Sequence, residues 1–420
     1  MKHILGYKSV LSGNEYDYEP GKIRYQDEKT GENLEIIYDY DYIKKNFSRN
    51  DLEKNNDYSV WRYAPLLPIK NLDLVPPLQI GWTPLYKSRK LGRKLGLENL
   101  YLKDDGRNPS ASFKDRASSV ALVNAREMNA PIITGASTGN AGSSMACLCA
   151  SVSMPAVIFV PEKAPAAKLA QMLIFGTKLF AVTGTYDDAF DLCLKVSKEF
   201  DWVNRNTGYN PFTREGKKTC AYEICEQLGW KAPDKIFVSV GDGNIISGIG
   251  KGLKDLKAMG FIEKIPQVYV VQSTNSNAIA LSVKKARENP GKPIEVTPVK
   301  ATTIADSISV DLPRDGHMAV RTVLETGGDA VQVTDKEILD AIRELGASEG
   351  IFSEPAGATA YAGVAKAREA GLIKPGEKVV AIITGNGLKD VDSALKVAGK
   401  PFIIEPTLDA VKKQLEKLKI

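Results

Sequence analysis

A lysine stands behind a polar turn and at the start of a predicted helix in Asn108-Pro109-Ser110-Ala111-Ser112-Phe113-Lys114-Asp115-Arg116. A free lysine has a pKa of about 10.4, so at neutral pH roughly one in a thousand is nucleophilic. Enzymes overcome this by burial, by a neighbouring cation or by condensation with an aldehyde cofactor. The positive end of a helix also favours the neutral amine. The plainer reading of the same residues is a surface ion pair between Lys114 and Asp115.

Three further segments are rich in glycine or hydroxyl residues. In Thr134-Gly135-Ala136-Ser137-Thr138-Gly139-Asn140-Ala141-Gly142, hydroxyls and amide hydrogens could hold a carboxylate at a helix N-terminus, or only cap the helix. Val240-Gly241-Asp242-Gly243-Asn244-Ile245-Ile246-Ser247-Gly248 follows an apolar run and opens a helix. Its glycines would let backbone N–H groups approach a phosphate, although it lacks the dinucleotide Gly-x-Gly-x-x-Gly spacing. Ile382-Ile383-Thr384-Gly385-Asn386-Gly387-Leu388-Lys389-Asp390 sets a hydroxyl at a strand end, where it could equally close the strand.

From Pro76 onward short apolar runs alternate with stretches of helical period, the pattern of a parallel α/β architecture. Strands are predicted at Asn99–Lys103, Pro131–Gly135, Ala156–Val160, Lys235–Val240, Gln267–Val271 and Lys378–Thr384. Helices are predicted at Lys114–Met128, Ala141–Ser153, Asp187–Glu199, Ile245–Met259, Asp335–Leu345 and Pro355–Ala370. Each of the four segments thus lies where a strand ends and a helix begins, the place where open parallel sheets collect ligands. Residues 1 to about 75 differ: they are rich in Tyr, Asp, Lys and Asn, with an alternating stretch at Leu34–Ile43 that suggests a small antiparallel strand region. At the other end, Leu408, Val411, Leu415 and Leu418 share one face of a helix expected to dock on the body.

The 420 residues are 43% hydrophobic and 25% charged, enough apolar material for two or three cores. The net charge of +5 is spread among interleaved acids and bases, which argues against nucleic-acid binding. Five cysteines without metal-ligand spacing read as buried free thiols, which suggests a reducing compartment. With His3 and His317 alone, neither a multi-histidine metal site nor a histidine triad is supported. No apolar leader or spanning stretch is evident, so export and membrane insertion are not expected.

Taken together, the four segments resemble those of fold-type II pyridoxal-phosphate enzymes and, within them, the threonine synthases. The resemblance runs from Gly81-Trp82-Thr83-Pro84-Leu85 to Asp390, with the landmarks in the family's order. It implies a tryptophan synthase β-like fold: two open parallel-sheet α/β domains with the cofactor in the cleft between them, and a small N-terminal strand-containing region. Residues 76–115 and 212–405 would form the large cofactor-binding domain, 116–211 the small one, 1–75 the N-terminal region and 406–420 a C-terminal helix. Lys114 would be the Schiff-base lysine, with Phe113 beside it. Asn140 would meet the cofactor's ring oxygen, and Ser137 and Thr138 the substrate carboxylate. Gly241, Asp242, Gly243, Asn244 and Ile245 would hold the cofactor phosphate through backbone groups, and Thr384 would face the pyridine nitrogen.

The implied reaction converts O-phospho-L-homoserine and water to L-threonine and phosphate, in a cytoplasmic homodimer that binds neither nucleic acid nor membrane. For the substrate phosphate, Lys87, Arg107, Arg214, Lys217 and Lys218 are candidates. The rivals are a serine or threonine ammonia-lyase, another β-replacement enzyme of the same fold, or a relative that binds without catalysis. The Gly-Trp-Thr-Pro-Leu segment, the long N-terminal region and a chain that stops soon after Lys400 argue against the lyase. Many relatives begin with a Cys-x-x-Cys zinc ribbon. Here Tyr7-Lys8-Ser9-Val10-Leu11-Ser12-Gly13 carries serines in the cysteine places, so no structural metal is expected.

Overall fold

Runs such as Lys-Ile-Phe-Val-Ser at 235–239 and Val-Val-Ala-Ile-Ile at 379–383 have almost no polar alternation, so a sheet that contains them must be covered on both faces. A computed structural model of the chain, which describes residues 2–419, shows every residue of both runs buried. In chain order the strands are β1 (Ile4–Ser9), β2 (Glu15–Asp17), β3 (Leu34–Tyr38), β4 (Leu85–Lys87), β5 (Leu100–Asp104), β6 (Ile133–Ala136) and β7 (Ala156–Pro161). They continue with β8 (Lys178–Val182), β9 (Val203–Asn204), β10 (Lys235–Ser239), β11 (Gln267–Ser273), β12 (Ala330–Val333) and β13 (Val379–Ile383).

These strands form three sheets. The largest has the order β12-β11-β10-β13-β5-β4, parallel except for β4 at its edge. A second parallel sheet has the order β8-β7-β6-β9. From β10 the chain runs outward to β11 and β12, whereas β13 and β5 lie on the other side, so the winding reverses between β10 and β13. In the second sheet it reverses between β6 and β9. Crevices at such reversals, outside the strand carboxyl ends, are where ligands settle in this architecture. The loops after β5, β6, β10 and β13 are the four segments singled out above.

All six predicted strands and all six predicted helices are present, with ends shifted by one or two residues. The N-terminal expectation is corrected in part. Strand β3 stops at Tyr38, and Asp39 starts the helix Tyr40–Asn46 by accepting a hydrogen bond from Tyr42 N, so the alternation at 34–43 spans a strand and a helix start. The C-terminal expectation is also corrected. The helix Leu408–Leu418 forms, but none of its residues is buried and Leu408, Val411, Leu415 and Leu418 are all exposed. Its apolar stripe is two turns of Leu and Val between charged residues, and it finds no matching groove on the described body. No helix among the described residues is long and apolar enough to cross a membrane. All five cysteines are buried and unpaired.

Where relatives of the resembled family carry a zinc ribbon, two carboxylates organise the chain. Glu32 accepts from the backbone N–H groups of Leu11 (3.1 Å) and Ser12 (2.9 Å) and from the hydroxyl of Ser9. Asp27 accepts from Asn14 Nδ2 (2.9 Å), Lys29 N (2.8 Å) and Thr30 N (3.0 Å). Burial opposes ionisation of both groups, but these donors hold both carboxyls below the usual range.

The helix Lys114–Glu127, which carries the reactive lysine, packs against Phe212–Lys217 through a glycine. A Cβ on Gly216 would lie 1.8 Å from the carbonyl oxygen of Arg116, a backbone atom that has no rotamer through which to yield. Gly216→Ala should therefore destabilise the protein. The helix-propensity gain of about 1 kcal/mol is outweighed by overpacking costs of about 1–3 kcal/mol or more. Urea unfolding monitored by circular dichroism checks this, and an unchanged or raised midpoint would refute the close approach.

Candidate active site

Strand β5 ends at Asp104, and the chain then passes through a turn at Asp105–Arg107 to Lys114, the first residue of its helix. This loop is tied to the end of β13: Phe113 N donates to Thr384 O at 2.8 Å. One residue past Lys114, the Asp115 carboxylate turns back to accept from Ser110 N (2.7 Å) and Ser110 Oγ (2.5 Å). The surface ion pair between Lys114 and Asp115 is therefore not formed, because Asp115 closes its own loop.

Arg116 fixes the helix start from beneath. Its Nε donates to Asp105 Oδ2 at 2.6 Å and its Nη1 to Glu223 Oε1 at 2.5 Å, while Lys103 Nζ donates to Glu223 Oε2 at 2.7 Å, all fully buried. Burial alone would push the Glu223 carboxyl up, but the charges of Arg116 and Lys103 prevail and hold it at about 2. Above this network Lys114 opens into a cleft. Burial and the nearby charge of Arg205 depress its pKa, while Asp242 and Glu354 act in the opposite sense. No side chain hydrogen-bonds its amine.

Nine of the residues proposed from sequence line this one cleft: Phe113, Lys114, Asn140, Gly241, Asp242, Gly243, Asn244, Ile245 and Thr384. Ser137 and Thr138 do not line it. They stand in the turn between β6 and the helix Asn140–Ser151, partly exposed, with Ser137 Oγ accepting from Gly139 N at 3.3 Å.

The glycine loop suits a phosphate. The helix Asn244–Ala258 has no side-chain cap, so the N–H groups of its first turn have no partner within the helix. Gly243 has φ +91°, and a Cβ there would lie 2.7 Å from the Asp315 carbonyl oxygen, so glycine is required on both counts. The Ser239 hydroxyl lines the same cleft, buried and without a partner. Lys217 Nζ donates to Asn244 Oδ1 at 2.5 Å and pairs with no carboxylate. Burial, and then the neighbouring charges of Lys114 and Arg205, push its amine well below the usual range. Asp242 keeps its carboxylate on the Arg314 N–H at 3.2 Å, leaving the backbone to face an anion. An uncapped helix end, an orphaned hydroxyl and a lysine amine that an arriving anion would charge together fit the phosphate of pyridoxal phosphate.

Among the candidates for a substrate phosphate, Lys87 and Arg107 are exposed at the ends of β4 and of the β5 turn. Arg214 pairs with Asp315 at 2.7 Å, and Lys218 lies 2.7 Å from Glu215 and 2.8 Å from Asp255. Of the three that are buried, only Lys217 is free of a carboxylate.

Sequence reasoning missed Glu354, which lines the cleft, 5% exposed, and accepts from Asn140 Nδ2 at 2.8 Å. That bond orients the Asn140 amide with its nitrogen donating. Burial raises the Glu354 carboxyl to about 7 against the pull of Lys389, the Asn140 bond and Lys114. A Cβ on Gly385 would fall 2.2 Å from Glu354 Oε1, so the glycine after Thr384 makes room for this carboxylate. The available signal was an acidic residue directly before the Pro-Ala-Gly-Ala helix start at 355–358.

Comparison with known proteins follows the same lines. Residues 77–385 match the family described as pyridoxal-phosphate dependent enzyme. The threonine synthase of Methanocaldococcus jannaschii is 38% identical over 387 residues, 92% of this chain and 94% of that one. The threonine synthase of Methanosarcina acetivorans is 34% identical over 99% of both chains. Among solved structures, the processed form of threonine deaminase isoform 2 from Solanum lycopersicum superposes with TM-score 0.66 at 23% identity, covering 91% of this chain and 98% of that chain. Maize serine racemase gives TM-score 0.64 at 22% identity, covering 80% and 94%. At such identities the structural likeness speaks to the fold, which is that of fold-type II pyridoxal-phosphate enzymes.

The carboxyl of Glu354 has a measurable consequence for the apoprotein. Between its ordinary value of 4.5 and about 7, the folded chain keeps a proton there that the unfolded chain has lost. Stability from this group is thus fully present below the unfolded value and is lost as pH rises through the folded one. Glu354→Gln should flatten the wild-type fall in unfolding free energy between pH 5 and 8. Parallel wild-type and variant pH slopes would show that Glu354 titrates normally.

Proposed function

We propose, from the premise that this chain belongs to the pyridoxal-phosphate dependent enzyme family and within it to the threonine synthases, that it converts O-phospho-L-homoserine and water to L-threonine and phosphate. The observation that carries the reading is a half-buried lysine without a counter-ion, set beside an uncapped helix end at the winding reversal of a parallel sheet. The sequence relatives carry the choice of substrate, since the ammonia-lyase and racemase neighbours are alike only in fold. The reading includes a cytoplasmic homodimer. It divides the chain into residues 76–115 with 212–405 around the larger sheet and 116–211 around the smaller.

When bound, pyridoxal phosphate supplies an electron sink that acidifies the substrate's carbons. In this reading Lys114 would hold the cofactor covalently, and its amine would move protons at the α-, β- and γ-carbons of the substrate as base and acid. Its depressed pKa keeps a larger share of the amine neutral and so able to accept a proton. The backbone of Gly241–Ile245 with Lys217 holds the cofactor phosphate. Asn140 donates to the ring oxygen, with its amide held in that sense by Glu354. The neutral hydroxyl of Thr384 would face the pyridine nitrogen, a partner that suits elimination and replacement at side-chain carbons. Ser137 and Thr138, outside the cleft lining, meet the carboxylate of the substrate as it enters above the cofactor.

Two experiments test this. Purified protein should absorb in the visible as a protein-linked cofactor, and borohydride reduction followed by peptide mapping should label Lys114. Lys114→Ala should lose the band and turnover by several orders of magnitude while remaining folded, and a label on another lysine would overturn the assignment. In heavy water, O-phospho-L-homoserine should give threonine with deuterium in the methyl group and at the α-carbon, seen by proton NMR. Deamination of serine or threonine to a keto acid, without threonine formation, would replace this reading with the ammonia-lyase.

A further inference from the structure

Four arginines are buried, and three of them are matched by carboxylates: Arg62 by Glu226, Arg116 by Asp105 and Glu223, and Arg214 by Asp315. The fourth, Arg205, is 3% exposed and has none. Its Nε donates to Ser118 Oγ at 3.1 Å and its Nη1 to Thr207 Oγ1 at 2.9 Å, while Nη2 is buried without any partner. Its nearest acid by charge, Asp115, already has both oxygens on Ser110. An uncompensated buried cation is costly, and a fold retains one where an anion arrives to match it.

The position is equally specific. Arg205 follows β9 directly, its N–H donating to Thr134 O of β6 at 2.8 Å, so it emerges at the carboxyl ends of the two strands between which the smaller sheet reverses. Ser118, which it touches, lies one helical turn after Lys114 on the same helix face. Thr207, which it also touches, lines the cleft. The guanidinium therefore stands beside the reactive lysine, on the side of the smaller sheet. Lys217, whose amine feels the charges of both Lys114 and Arg205, donates to Asn244 in the loop suited to the cofactor phosphate.

We propose that Arg205, aided by Thr207, holds the phosphate ester of the amino-acid substrate and so selects a phosphorylated side chain over an uncharged one. This rests on the function proposed above. Two unpaired cations then serve two phosphates: Lys217 serves that of the cofactor and Arg205 that of the substrate. The fork of a guanidinium suits two phosphate oxygens at once. Reaching them requires Arg205 to exchange its Thr207 or Ser118 contact for the ester, a side-chain adjustment ordinary on ligand binding. The charge of Arg205 also depresses Lys114 more than any other charge does. A phosphate dianion on Arg205 would cancel that influence, so the lysine becomes more basic when substrate is present and less so once phosphate has left.

The test uses holoenzyme, in which the cofactor's phosphate site is filled. Inorganic phosphate is titrated calorimetrically, and turnover of O-phospho-L-homoserine is compared with that of O-acetyl-L-homoserine. Arg205→Met should weaken inorganic phosphate binding and raise KM for the phosphorylated substrate by about 30-fold or more, the low end for removing one partner of a buried charge pair. The kcat should fall less, and KM for the acetyl ester and cofactor affinity should stay as in wild type. If Arg205→Met does not fold, Arg205→Lys, which keeps the charge but not the fork, must still bind phosphate several-fold more weakly than wild type. Unchanged phosphate affinity in either variant overturns the proposal, as does loss of cofactor affinity, which would assign Arg205 to the cofactor. Phosphate binding that depends on Arg205, in a wild-type enzyme that turns over no O-phospho-L-homoserine, would uphold the anion site and retire the proposed function.

Discussion

The guanidinium of Arg116, held between Asp105 and Glu223 with Lys103 closing the far side, is the constraint around which the rest of the site is arranged. It joins the end of β5 and the start of the lysine-bearing helix to the helix Thr219–Gln227, which lies far along the chain from both. Four charged groups without access to water are tolerated only when every one is matched in charge and hydrogen bonding. That requirement sets the direction in which Lys114 leaves its helix. A network of this kind specifies geometry more than it adds stability, since a well-packed apolar replacement could match it in free energy but not in position.

Around that fixed point the cleft is organised by charges deliberately left unmatched. Lys114, Lys217 and Arg205 crowd one region: the charge of Arg205 depresses both lysines, and that of Lys114 depresses Lys217. The acids nearest to them, Asp242 and Glu354, are buried carboxyls whose burial resists ionisation, so neither neutralises the cations fully. Such a site gains electrostatically from receiving anions. A fold that paired these residues internally would be more stable empty and less ready to bind.

The legible part of this arrangement was the part written locally. Lys114, the loop at 241–245 and Thr384 are adjacent to glycines and to apolar runs, and strand-to-helix turns in a parallel sheet gather at one edge whatever the intervening sequence. Nine proposed residues accordingly meet in one cleft. Glu354 and Arg205 escaped because a lone charge in sequence looks like any surface charge, and their burial is created by packing against elements far along the chain. Asp115 misled for the same reason in reverse: its proximity to Lys114 suggested a pair, but Ser110 competes for it at shorter range. The strip at 408–418 has the period of a docked helix, yet periodicity says only that a face is apolar and not that something faces it.

The carboxylates at Glu32 and Asp27 change what the N-terminal region responds to. A thiolate-bound ion makes a fold answer to chelators, to oxidants and to the supply of metal, because the cross-link can be removed chemically. Ser9, Leu11 and Ser12 are gathered by an ionised oxygen that belongs to the chain itself, so neither agent has a bond there to break. What remains is protons. Both carboxyls sit below their ordinary range, so the stability they contribute is present near neutrality and fades only as pH falls through those lowered values. The vulnerability of this region has moved from the redox and metal state of its surroundings to their acidity.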